Sequence, residues 1–146
     1  MRILLVEDNM GDAKLISILV ETSTVPIVIE HVCDGEKALY YLESVGEDHT
    51  PDLILLDLKM PRMDGFEFLK IRMNNPELSA IPTIVLTGSD AMNDKELAMS
   101  LGADMYMIKP SCMDEAETLV PSLLSFMSSR SLGYADEGNG IDGSMG

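Results

Sequence analysis

Leu53-Ile54-Leu55-Leu56-Asp57, entered through Pro51-Asp52 and left through Leu58-Lys59-Met60-Pro61, decides how this chain is read. Four apolar residues without polar alternation describe a strand covered on both faces. An acidic residue closing such a strand lacks backbone partners unless it meets a cation or a reactant. Four runs of similar character surround it, at 3–6, 27–32, 83–86 and 105–108. Between them, apolar residues recur at helical spacing: Leu15, Ile18 and Leu19; Ala38, Leu39 and Leu42; Phe66, Leu69 and Met73. Strict alternation of strand and helix implies parallel pairing through right-handed crossovers. The fold class is therefore α/β, a five-stranded, doubly wound parallel sheet.

The 146 residues suit one domain. With 46% hydrophobic and 24% charged residues, the chain can bury a core, which excludes global disorder. Ten Lys+Arg against 25 Asp+Glu give a net charge of −15, a field that repels a nucleic-acid backbone. Two cysteines, Cys33 and Cys112, build no disulfide framework and are expected to be structural thiols in a reducing compartment. No stretch approaches the roughly 20 apolar residues of a membrane span, so the expectation is a soluble cytoplasmic protein. Near the end, Leu119, Val120, Leu123, Leu124 and Met127 mark a last helix, inside which Pro121 would kink or restart the chain, and a bend is expected there. From Ser131 the composition is Gly-rich, acidic and without basic residues, which suggests a domain over 1–130 and a flexible tail over 131–146.

In an open parallel sheet, ligands bind beyond the carboxyl ends of the strands. The residues leaving the apolar runs are Glu7-Asp8, Asp57, Thr87-Gly88 and Lys109-Pro110. If the first strand lies between the second and third, three carboxylates and one ammonium would share a pocket. Clustered like charges favour neutralisation, so something cationic belongs there. Hard oxygen donors without nearby Cys or His suit Mg²⁺, with Mn²⁺ as a substitute, and such a site also accommodates a phosphoryl oxygen. Asp57 then serves as a carboxylate nucleophile forming an aspartyl-phosphate, while Lys109 and the Thr87 hydroxyl offset and position the transferring charge.

These motifs, Leu4-Leu5-Val6-Glu7-Asp8-Asn9, Leu53 through Pro61 with Asp64-Gly65, Val85-Leu86-Thr87-Gly88, and Gly102-Ala103-Asp104 through Tyr106 to Lys109-Pro110, together resemble the receiver domain of two-component response regulators. The resemblance spans about residues 1 to 130. It implies a flavodoxin-like sheet in strand order 2-1-3-4-5. It further implies that Asp57 is phosphorylated from a sensor histidine kinase or phosphotransfer protein. Glu7, Asp8, Asp57 and the Lys59 backbone carbonyl would hold the metal, and Lys109 would bind the phosphoryl group. Thr87 and Tyr106 would act as the switch, Gly88 would leave room for the phosphoryl group, and the Lys109-Pro110 bond would be cis. The Glu7-Asp8-Asn9 start, the loop at 46–51 and the segment Asn74-Asn75-Pro76-Glu77-Leu78 are most similar to single-domain regulators paired with phytochrome-like kinases. That subfamily suggests homodimerisation through the last two helices and fifth strand, and readout by an unspecified downstream protein.

Other readings stand beside this one. Glu7-Asp8 could cap the first helix, Asp12 fits a first-turn dipole partner better than a metal ligand, and Tyr106 could be a packed strand aromatic. A degenerate receiver would use the same surface for phosphorylation-independent docking. An aspartyl-phosphate hydrolase wants a second carboxylate two residues after Asp57, where Lys59 stands. A nucleotide or flavin binder wants a phosphate loop after the first strand, and Glu7-Asp8-Asn9 would repel one. The expected activity is thus self-phosphorylation with slow autodephosphorylation in a phosphorelay, rather than metabolic catalysis.

Overall fold

The computed structural model describes the backbone of residues 1–139 and the side chains of residues 1–130. Five strands form one parallel sheet: β1 (Arg2–Val6), β2 (Val28–Val32), β3 (Leu53–Leu56), β4 (Thr83–Thr87) and β5 (Met105–Ile108). Their order, β2-β1-β3-β4-β5, is the one the sequence implied. The helices are α1 (Met10–Val20), α2 (Gly35–Ser44), α3 (Gly65–Met73), α4 (Pro76–Ser79), α5 (Met92–Ser100), α6 (Met113–Ala116) and α7 (Leu119–Asn139), with a 3-10 turn at Glu47–His49. The chain divides into two compact units, 1–109 and 110–146, and the sheet lies wholly in the first.

The three central strands are apolar because both their faces are covered. Leu53 through Leu56 are fully buried, as are Leu4, Val6, Ile84 and Val85. Phe68 and Leu69 of α3 close over them, and Phe66 packs at the margin of the same cluster. Side-chain caps set the starts of α1, α2 and α3: Asn9 accepts from the Asp12 N–H, Asp34 from the Lys37 N–H, and Asp64 forms a reciprocal capping box with Glu67.

Register carries the strand ends to one row. Val6 pairs with both Val32 and Leu56, Leu56 pairs with Val85, and Thr87 pairs with Ile108. Beyond the ladders, Glu7 N–H donates to Val32 O at 3.0 Å, Asp57 N–H to Val6 O at 3.0 Å, and Lys109 N–H to Thr87 O at 2.7 Å. Glu7, Asp57, Thr87 and Lys109 therefore emerge on the same edge.

Two expectations meet the structure differently. No cis peptide occurs among the described residues, so Lys109-Pro110 is trans, the isomer that X-Pro bonds favour by roughly 0.5–1 kcal/mol. Pro121 restarts the chain rather than bending a continuous helix. A break at 117–118 separates α6 from α7, and Pro121 sits in the first turn of α7, where a missing N–H removes no helical bond. The backbone of α7 is helical through Asn139, and residues 140–146 of the segment read as a tail lie outside the described residues.

Candidate functional site

Asp57 leaves β3 only 5% exposed. Its Oδ1 accepts the Leu58 N–H at 2.8 Å, and its Oδ2 faces the Lys109 ammonium at 3.1 Å. Gly65 makes this turn close. Its N–H donates to Leu58 O at 3.0 Å, and a Cβ there would stand 2.4 Å from the Asp57 carbonyl oxygen, so only glycine fits.

Lys109 is the hub. Its Nζ lies 2.8 Å from Glu7 Oε1, 2.8 Å from Asp12 Oδ2 and 3.1 Å from Asp57 Oδ2. Burial alone would lower its pKa, but the Asp12 and Glu7 carboxylates, with the field of Asp57, raise it, and the ammonium stays charged. Glu7 shows the opposite balance. Burial, then the neighbouring Asp57 carboxyl, pushes its pKa up from 4.5 to about 7 against the pull of Lys109 and the Asn9 N–H. Near neutral pH this group is poised between carboxylate and acid.

Counting Asp8, four carboxylates surround one ammonium, a local excess of negative charge. Glu7, Asp8 and Asp57 each present an oxygen within 4.8 Å of the others. A cavity of about 430 Å³ adjoins them, lined by Asp8, Leu58, Lys59, Met60, Pro61, Asp64 and Phe66. Oxygen-only donors of this charge beside an open space fit a hard divalent cation that keeps several waters.

Thr87 is buried at the end of β4. Beside it, a Cβ at Gly88 would meet nothing within 4 Å, so the space before this strand end is open. Tyr106 is half-buried against the core, and its hydroxyl donates to Ser89 O at 2.7 Å. Ser89 Oγ in turn donates to Asp94 Oδ2 at 2.6 Å, and Lys59 Nζ stands 3.7 Å from the same oxygen. The side chain of Lys59 thus points to this network, while the residue itself borders the cavity next to Asp8.

The structure brings together Glu7, Asp8, Asp57 and Lys109 as the sequence suggested, with Thr87 at the adjoining strand end. Sequence reasoning missed Asp12 as a partner of Lys109. The signal was available, since helical side chains tilt toward the N-terminus and a first-turn carboxylate leans back over the strand ends. It also missed His31, whose Nε2 donates to the Glu7 carbonyl oxygen at 2.7 Å across β1 and β2.

The strand order and the acidic row with its lysine define a receiver. The family model of the response regulator receiver domain matches residues 3–120. This chain belongs to that family. It is 35% identical over 127 residues to the response regulator Rcp1 of Synechocystis sp., covering 85% of this chain and 86% of that protein. Among solved structures, the phosphorylated cyanobacterial phytochrome response regulator RcpA superposes with a TM-score of 0.79 at 36% identity, covering 88% of this chain and 94% of that one. The Mn²⁺-bound form of Rcp1 gives 0.75 at 34% identity, covering 86% and 92%. Glu7, Asp8 and Asp57 of this chain offer the oxygen donors that such a cation takes. Among the described residues, no helix is long and apolar enough to cross a membrane.

Proposed function

We propose that Asp57 accepts a phosphoryl group from the phosphohistidine of a sensor kinase or phosphotransfer protein, and that the modified chain switches its protein contacts. A carboxylate oxygen of Asp57 forms the bond to phosphorus as the P–N bond breaks and the imidazole leaves. Lys109 holds the anionic product, and Thr87 with the open space before Gly88 receives it. Glu7, Asp8, Asp57 and the Lys59 carbonyl would hold the metal, which supplies positive charge to the transferring group. Tyr106 and Thr87 are assigned to the switch. A buried aspartate held 3.1 Å from an ammonium, with two further carboxylates in reach, is the observation that carries this reading.

The domain is assigned to 1–130 and the tail to 131–146. A single-domain regulator is supported by the match along 86% of Rcp1. A phytochrome-like kinase as the partner is supported by the similarity to the phytochrome response regulator RcpA, and the cytoplasm is supported by that partner and by the free Cys33 and Cys112. Homodimerisation through the last two helices and fifth strand rests on the family resemblance. The downstream target is a protein rather than a nucleic acid, consistent with the charge of −15. A hydrolase finds no support, because Lys59, where the second carboxylate would stand, is engaged with Asp94.

Incubation with Mg²⁺ and acetyl phosphate, followed by intact mass, tests the acceptor. One labile phosphoryl adduct that requires both Mg²⁺ and Asp57 is expected. An Asp57→Asn variant phosphorylated as fully as the parent overturns the assignment.

A further inference from the structure

The carboxylate cluster occupies one edge of the sheet, and a second cleft of about 470 Å³ opens at the opposite edge. It lies where the end of α2, the loop before β3, the end of α3 and the segment leading into β4 meet. Leu39, Leu42 and Ile71 give it apolar walls, and Glu43, Glu47 and Glu77 stand around it. No Lys, Arg or His lines it. The three glutamates are exposed, and none is in an ion pair among the described residues. Ile71 is left 39% exposed toward solvent, which core packing does not require.

A cleft with apolar walls and unmatched carboxylates at its margin complements one kind of side chain. Lys and Arg lay an aliphatic stem along apolar surface while the charged head reaches outward. We propose that this cleft docks a protein partner through an amphipathic helical segment that inserts a lysine or arginine together with an apolar neighbour. The site is remote from Asp57, so a partner held here leaves the acceptor edge uncovered. The overall charge of −15 draws any cationic segment toward the chain, and the apolar walls select those that also carry an apolar face.

The probe is a fluorescent peptide of about four helical turns with Leu and Lys at amphipathic spacing, compared with a scrambled peptide of the same composition. Binding to the full chain is read by anisotropy, and its location by amide shift mapping. Glu43→Gln, Glu47→Gln and Glu77→Gln together should weaken binding about tenfold, since each such pair contributes modestly. Glu21→Gln, Glu36→Gln and Glu96→Gln together remove the same charge from exposed positions elsewhere and should weaken it much less. Ile71→Ser should weaken the amphipathic peptide without altering the weaker binding of the scrambled one. All these positions are exposed, and circular dichroism confirms that each variant folds. Equal losses in the two triple variants, equal affinity for both peptides, or shifts centred on the Asp57 edge would overturn the proposal.

Discussion

Glu7 stands at the end of β1 with 1% of its surface exposed, one carboxylate oxygen 2.8 Å from Lys109 and the other accepting the Asn9 N–H. Its pKa of about 7 lies above the ordinary 4.5, so between these pH values the folded chain holds a proton that the unfolded chain has released. Stability then falls as pH rises through that window. Urea unfolding without divalent cation should show this decline, and Glu7→Gln, which does not titrate, should lack that component. Gly65 carries a steric prediction. With a Cβ placed 2.4 Å from the Asp57 carbonyl, Gly65→Ala should destabilise by about 1–3 kcal/mol, whereas Gly88→Ala, facing open space, should stay within about 0.5 kcal/mol. Unfolding midpoints of the two variants check both. Asp57 was legible in the sequence because a charged residue directly after a fully buried strand has few structural reasons to be there, and Lys109 because its place across from Asp57 outweighed the surface reading of a lysine before a proline. Asp12 was passed over despite its place in the first turn of α1, because its partner is 97 residues away and a first-turn aspartate already has a local explanation.

Among the elements, α3 does more than cover the sheet. Its Arg72 is 3% exposed and donates to the carbonyls of Gly102 and Ile81 at 2.9 and 2.8 Å and to Asp104 Oδ2 at 3.1 Å. Asp104 also accepts the Thr83 N–H at 2.8 Å, so one guanidinium ties α3 to the entry of β4 and the loop before β5. Arg72→Met keeps the stem but strips these buried acceptors of their donor, and it should destabilise by about 3–5 kcal/mol in urea unfolding. The strands were legible at this scale because a doubly covered strand is apolar throughout. The face of α1 was less so. Leu15, Ile18 and Leu19 were expected inside, yet Ala13, Ile16, Leu19 and Val20 are buried while Ile18 is 50% exposed. Apolar residues nearly encircle Met10–Val20, so spacing alone selects no single stripe. On α3, Met73 was expected inside and is 48% exposed, and the fully buried aromatic is Phe68.

Across the whole chain, strand and helix alternation was enough to read a five-stranded parallel sheet, because parallel crossovers leave few topologies, whereas the strand order came from the resemblance to receiver domains. The second cleft was invisible in sequence, since its residues come from four separate segments that only the fold brings together. The charge of −15 has a global consequence that must be separated from the local one at the metal site. Self-repulsion weakens the compact state, and any salt that screens it should raise the urea midpoint. A divalent cation bound by Glu7, Asp8 and Asp57 adds a different term. Ligand that binds only the folded state stabilises it by RT ln(1 + [L]/Kd), about 2.7 kcal/mol at a hundredfold excess over Kd. Mg²⁺ should therefore raise the midpoint beyond NaCl of matched ionic strength, and Asp57→Asn, which removes one of the shared carboxylates, should reduce that excess while keeping the response to NaCl. If Mg²⁺ and matched NaCl act equally on the parent chain, the acidic row is only a source of repulsion that ions screen. A specific excess, diminished by a single Asp57 substitution, assigns the cation to the edge where the acceptor lies.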